Sequence, residues 1–194
     1  MKPQHTGRGS TGLRVIAGRY KRRRLQSLPG EATRPMLDRM RETLFNVLQG
    51  QIEGRVFADL YAGTGAVGIE ALSRGASRAI FVESSAAAVE MIRANLRTVG
   101  AQDDARILFS PVAKILEGLQ ADVVFLGPPY HAAEEYQATL TALGELGPPL
   151  VIAQHDRAHP LADRYGRLDR FRTMEMGRNA LSFFSTPEEP AADS

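Results

Sequence analysis

An α/β fold on a mostly parallel, seven-stranded sheet is the expectation for this 194-residue chain, and three observations lead to it. Short apolar stretches rich in β-branched residues alternate with longer stretches of helical period. A glycine-rich turn follows the first apolar stretch of the main body. Two extended stretches joined near Gly177 close the chain. Strand–helix alternation implies parallel strands covered on both faces, and the closing pair implies an antiparallel C-terminal hairpin at an edge.

Residues 13–17 and 24–28 each alternate polar and apolar side chains around Gly18-Arg19-Tyr20-Lys21, which predicts a small basic β-hairpin. After Thr33-Arg34-Pro35, the residues Met36, Leu37, Met40, Leu44, Val47 and Leu48 recur at helix spacing, and Gly50 and Gly54 end that helix. Strands are predicted at 56–61, 79–83, 106–109, 123–126 and 150–153, with helices at 66–74, 86–99, 112–119 and 132–145 between them. Extended stretches at 167–175 and 179–186 make the hairpin. Residues 1–11 and 187–194 read as frayed ends. The domain organisation expected is a basic arm over 1–35, an α/β domain over 36–186 and a disordered tail over 187–194.

The chain has no Cys, so disulfides and thiolate metal sites are excluded. No apolar run approaches the roughly twenty residues of a membrane span, and the N-terminus lacks the apolar core of a signal peptide. A cytoplasmic, monomeric protein without a membrane partner is the expectation. The net charge of +2 hides an asymmetry: residues 1–41 carry eleven Lys or Arg against Glu31 and Asp38, while the remainder is net acidic. A basic arm on an acidic body suits a polyanion, bound mostly through its phosphates. The candidates for that contact are Arg14, Arg19, Lys21, Arg22, Arg23, Arg24 and Arg39, with Tyr20 available to stack. Arg39 and Arg41, two apart on a helix, do not share a face, so one can serve a cofactor and the other the polyanion.

The first body strand ends in Asp59 and runs through Tyr61 into Gly63-Thr64-Gly65-Ala66-Val67-Gly68, with Glu83 twenty residues after Gly63. This matches G-x-G-x-x-G, in which glycines permit close approach of backbone to a ligand and the later acid accepts from ribose hydroxyls. A dinucleotide would place its pyrophosphate on the helix N-terminus, where Asp59 would repel it. The same carboxylate suits the ammonium of S-adenosyl-L-methionine (SAM), which carries adenosine and no phosphate. A nicotinamide-dependent oxidoreductase stays open as a remote alternative.

Strand four breaks into Gly127-Pro128-Pro129-Tyr130. Two prolines fix φ and remove two donors, so the carbonyls there are expected to stay free to accept, and Tyr130 offers a flat face for a base. That arrangement suits methylation of an exocyclic amine, with Gly127, Pro128, Pro129 and Tyr130 as the catalytic turn.

From about Gly12 to Phe184 the chain resembles the RsmD family of bacterial methyltransferases acting on guanine N2 in 16S ribosomal RNA. The likeness rests on Arg14-Val15-Ile16-Ala17-Gly18 and on Arg34-Pro35-Met36-Leu37-Asp38-Arg39-Met40-Arg41-Glu42-Thr43-Leu44-Phe45-Asn46. The latter is similar to R-P-T-x-D-R-x-R-E-x-L-F-N, with Met36 in place of Thr. The stretch 59–75 and Val82-Glu83 continue it. The resemblance implies a Rossmann-like class I SAM-dependent methyltransferase with cofactor contacts at Asp59, Gly63, Gly65 and Glu83; Tyr61, Thr64, Ser84 and Pro111 are flanking candidates. It also implies an RNA-facing N-terminal arm and, as partner, 16S rRNA or the assembling small subunit.

Three positions depart from the family pattern. Gly127 stands where the motif has Asp or Asn, Pro111 where many relatives have Asp or Asn, and Gln154 where Glu is common. Losing one positioned polar group typically costs about 10²–10³ in rate. A catalytically impaired RNA- and SAM-binding homologue is therefore the alternative function. His131 and His155 read as loop or surface residues, and no metal site is expected.

Overall fold

The computed structural model describes residues 12–27, 35–129 and 132–187. The expectations for 1–11, 28–34, Tyr130, His131 and 188–194 lie outside the described residues. Helix α1 (Pro35–Val47) precedes the parallel strands β1 (Val56–Leu60), β2 (Arg78–Glu83), β3 (Ala105–Phe109), β4 (Val123–Leu126) and β5 (Leu150–Asp156). Helices α2 (Ala66–Ser73), α3 (Ala86–Val99) and α4 (Ala133–Leu146) lie among them, and β6 (Arg164–Tyr165), β7 (Leu168–Met176) and β8 (Asn179–Ser185) follow. The strands form one sheet in the order β3-β2-β1-β4-β5-β8-β7-β6, parallel through β5 and antiparallel from there.

Every residue of β4 is buried, as are the last four of β1, which is why these strands read as unbroken apolar runs. Side chains alternate across the sheet. Phe57, Phe81, Phe125 and Ile152 share one core with Leu44, Phe45, Ile69 and Ile92 of α1, α2 and α3. Leu60, Val82, Leu126 and Val151 share the other with Tyr136, Leu140 and Leu143 of α4. By the same parity Asp59, Glu83, Gly127 and Gln154 belong to the first face, at the carboxyl ends of their strands.

The sheet has eight strands rather than seven, the addition being the two-residue β6 paired to the start of β7. It carries one buried side chain, Tyr165, too few for a pattern. Strand β5 runs on to Asp156 because β8 pairs with all seven of its residues. The helix expected at 112–119 is instead two 3-10 turns, Val112–Lys114 and Leu116–Gly118, closed by i→i+3 bonds such as Lys114 N–H to Pro111 O at 3.1 Å. Its buried anchors are only Val112 and Leu116, whereas the equally long α2 buries seven of its eight residues.

The basic hairpin closes through one bridge, Arg14 to Arg24, with Leu25 N–H donating to Leu13 O at 2.8 Å. Val15, Tyr20 and Leu25 are buried in the first core. Its tip presses so closely on α2 that a Cβ on Gly18 would lie 1.8 Å from the Ser73 carbonyl oxygen. Glu70, fully buried, accepts from the amides of Ile16 (2.8 Å) and Ala17 (3.0 Å) and pairs with Arg74 at 2.8 Å.

Candidate active site

Strand order reverses between β1 and β4, the place where open α/β sheets bind ligands beyond their strand carboxyl ends. Leu60 pairs with Val82 on one side and Leu126 on the other. The glycine loop, Glu83 and Gly127 therefore leave the sheet on adjacent strands, about 5 Å apart per step.

Tyr61 turns the chain out of β1 with φ +63°, and Gly63 and Gly65 continue at φ +55° and +75°. Gly68 does something different from its motif partners. A Cβ there would lie 2.4 Å from the Phe81 ring, so this glycine serves the packing of α2 on the sheet. Asp59, 2% exposed, accepts the Gly68 amide at 2.8 Å. Burial, opposed by that bond and reinforced by the Glu83 charge, raises its pKa to about 8. Glu83 accepts from Gly63 N–H through one oxygen and from Ser84 N–H and Ser85 N–H through the other, each at 2.8 Å. Three of the roughly four acceptor positions of a carboxylate are thus used by backbone, leaving one for a ligand hydroxyl. The Glu83 carbonyl also accepts from Ser110 N–H at 3.0 Å, which brings exposed Pro111 beside exposed Ser84.

Tyr61 lies under α4. Its hydroxyl pairs with Thr139 at 2.9 Å, and burial pushes its pKa up to about 12. Thr64 offers its carbonyl to Asn95 at 2.9 Å. The described part of the acceptor turn differs from expectation in one respect. The Pro128 carbonyl accepts from the buried hydroxyl of Tyr136 at 3.0 Å, and the Pro129 carbonyl from Ala132 N–H at 2.8 Å. Each of these carbonyls already accepts one bond within the fold, because a buried phenol needs an acceptor and because the chain turns into α4 there. Tyr136 also reaches the Gln154 carbonyl at 2.7 Å, so it ties the ends of β4 and β5 together. Sequence reading missed this tyrosine, whose only signal is its position in the first turn of α4.

Gly127 is half-buried, and an added Cβ would meet Phe125 at 3.5 Å and Gln154 at 3.8 Å, ordinary contact distances without positive φ. A Cβ fits there without a clash. His155 is buried rather than exposed: Nε2 pairs with Ser182 Oγ at 2.9 Å, while Nδ1 faces the carbonyls of Asp156 and His159. Burial lowers its pKa despite those bonds.

Arg14, Arg19, Lys21, Arg22, Arg23, Arg24 and Arg39 are all exposed. Tyr20 is buried, with the Arg19 guanidinium 5.3 Å from its ring centroid, and is not available to stack. Arg41 is buried and paired within the fold. It donates to Arg14 O at 2.6 Å and pairs with Asp38 at 2.9 Å, its pKa lowered by burial. The hairpin tip binds Ser73, the last residue of α2, and Arg23 reaches Thr98 O near the end of α3. These helix ends are opposite those at the glycine loop. Among the described residues no cluster of His, Asp or Glu has metal-binding form, and no helix is long and apolar enough to cross a membrane.

The family model described as Conserved hypothetical protein 95 matches residues 13–185. The Haemophilus influenzae protein named Ribosomal RNA small subunit methyltransferase D is 34% identical over 169 residues, covering 83% of this chain and 88% of that protein. The structure of a hypothetical protein from Thermus thermophilus superposes with a TM-score of 0.74 at 28% identity, covering 89% of this chain and 98% of the other. The fold is also that of an RNA methyltransferase from Salinibacter ruber crystallised with S-adenosyl-L-homocysteine (TM-score 0.58, 24% identity, 83% and 96% covered).

Proposed function

The chain belongs to the Conserved hypothetical protein 95 family, the RsmD family, and we propose that it methylates the exocyclic N2 amine of a guanine in small-subunit (16S) ribosomal RNA with SAM as donor. The observation that carries this reading is the convergence of three features at one sheet edge. They are a buried carboxylate without a cationic partner among the described residues, an acid with one remaining acceptor position, and a double-proline turn on the adjacent strand. The oxidoreductase alternative has no support from these relatives.

The donor set fits the cofactor. Asp59, desolvated and titrating near 8, gains a counter-charge from an ammonium group. Glu83 holds the loop through Gly63 and keeps one acceptor for a ribose hydroxyl. Thr64, Gly65, Ser84 and Pro111 border the space between them. When bound, SAM supplies a sulfonium methyl to the amine nitrogen. Tyr136 holds Pro128 and Gln154 in register, so the turn presents a fixed edge to the base. The base must leave its stack to reach that edge, and Tyr130 is assigned to cover it. Gly127 supplies no side-chain acceptor, and the amine proton passes to water.

The exposed arginines and Lys21 of the hairpin, with Arg39 of α1, take RNA phosphates. An RNA touching both the hairpin tip and the pocket spans the length of the buried α2, about 12 Å for eight residues. The arm at 1–35, the monomeric state and a cytoplasmic setting on free RNA or assembling subunits complete the proposal.

The absence of a side-chain acceptor at Gly127 favours a second reading, a homologue that binds RNA and SAM but turns over slowly. Methyl transfer from labelled SAM to unmodified 16S RNA decides between them. Transfer by the protein as it stands supports the enzyme. Silence here with robust transfer by Gly127→Asp supports the impaired homologue.

A further inference from the structure

We propose that Asn95 is a positioning residue that couples the glycine loop to the N-terminal basic segment, so that cofactor binding and RNA binding strengthen one another. The inference rests on the proposed use of the loop for SAM and of the segment for RNA.

Asn95 lies on α3 and is fully buried. Its Nδ2 donates to Thr64 O at 2.9 Å and to Gln26 O at 3.0 Å, and its Oδ1 accepts from Gln26 N–H at 2.7 Å. One amide head thus holds the middle of the glycine loop and both backbone groups of a residue two positions after Arg24. Thr64 sits between Gly63 and Gly65, both at positive φ, and the amide that shares its peptide unit, Gly65 N–H, donates to Ala62 O at 2.8 Å, so the direction of the Thr64 carbonyl is tied to the shape of the loop. Withdrawal of Thr64 leaves a buried donor unsatisfied, and withdrawal of Gln26 leaves two buried groups unsatisfied. Each end therefore favours the arrangement that also suits the other.

The other anchors of the segment do not reach the loop. Glu70 holds Ile16 and Ala17, and Ser73 holds Arg19 and Tyr20, all against the later turns of α2. Asn95 hydrogen-bonds the backbone of both sites. A ligand that orders Thr64 biases the same amide that orders Gln26, which is the physical requirement for linkage.

The test is calorimetric titration of the full chain with S-adenosylhomocysteine, with and without an unmodified 16S transcript. RNA should tighten cofactor binding about tenfold in the wild type, and cofactor should tighten RNA by the same factor. Asn95→Asp keeps the acceptor for Gln26 N–H but replaces Nδ2 with an oxygen that cannot donate to Thr64 O and Gln26 O together. Both ligands should still bind to it separately, with the coupling factor falling close to one. Hydrogen exchange on the wild type gives an independent reading, since S-adenosylhomocysteine should slow exchange of the Gln26 amide. Full coupling in Asn95→Asp, no coupling in the wild type, or an unchanged Gln26 amide overturns the inference while leaving the proposed function standing. Failure of the wild type to bind either ligand overturns both.

Discussion

Asp59→Asn should make the cofactor-free protein more stable at neutral and alkaline pH. The carboxyl titrates at about 8 in the fold against an ordinary 3.8, mainly through burial. Its folded pKa lies above the unfolded one, so the folded protein holds this proton longer. The resulting stability is present below about pH 4 and is lost as pH rises through about 8. That interval corresponds to on the order of 5 kcal/mol. Asn keeps an oxygen for the Gly68 amide and carries no charge to desolvate. For a chain of this size, with about 2–4 °C per kcal/mol, the gain in Tm is on the order of 10 °C at pH 8. Thermal melts from pH 4 to 8.5 measure it, with the two proteins converging at the acid end. The same substitution should weaken SAM binding, because the ammonium loses its counter-charge. A Tm difference that does not vary with pH, or an Asn protein less stable at pH 8, would refute the reasoning.

Gly127→Asp should raise the methylation rate by about 10²-fold with little change in SAM affinity, read from single-turnover kinetics, because its Cβ has room and the carboxylate can accept from the amine. Tyr136→Phe removes the proton shared by the Pro128 and Gln154 carbonyls; it should destabilise by about 1–3 kcal/mol in urea melts and lower kcat more than it changes SAM binding. His155 is held neutral, so its contribution is present above about pH 6.5 and lost as pH falls through its depressed folded pKa. In the Asp59→Asn background, acid melts should therefore show a loss that His155→Asn abolishes.

What was legible in the sequence is what one strand or one loop encodes. Strands β1 and β4 are buried on both faces and announce themselves as apolar runs, and Gly63 to Gly65 with Glu83 mark the topological switch point. What was hidden depends on partners distant in the chain. Nothing local says that Glu70 receives Ile16 and Ala17, that Asn95 bridges Thr64 to Gln26, or that Tyr136 occupies the Pro128 carbonyl. The sequence predicts that strand β5 stops at Ala153 because Gln154, His155 and Asp156 are polar; pairing with β8 carries it on. Even the basic hairpin was legible only in part. Its charges are exposed as expected, but Tyr20 is spent on the core and Arg41 on the backbone of Arg14.

The central claim, methyl transfer at this sheet edge to a guanine amine, is tested most directly by one product analysis. The protein is incubated with labelled SAM and 16S RNA from cells lacking the modification, and the RNA is digested to nucleosides. The account predicts label in N2-methylguanosine, slow with the chain as it stands and faster with Gly127→Asp. Label in another nucleoside, or none from either protein while SAM binds normally, would contradict it.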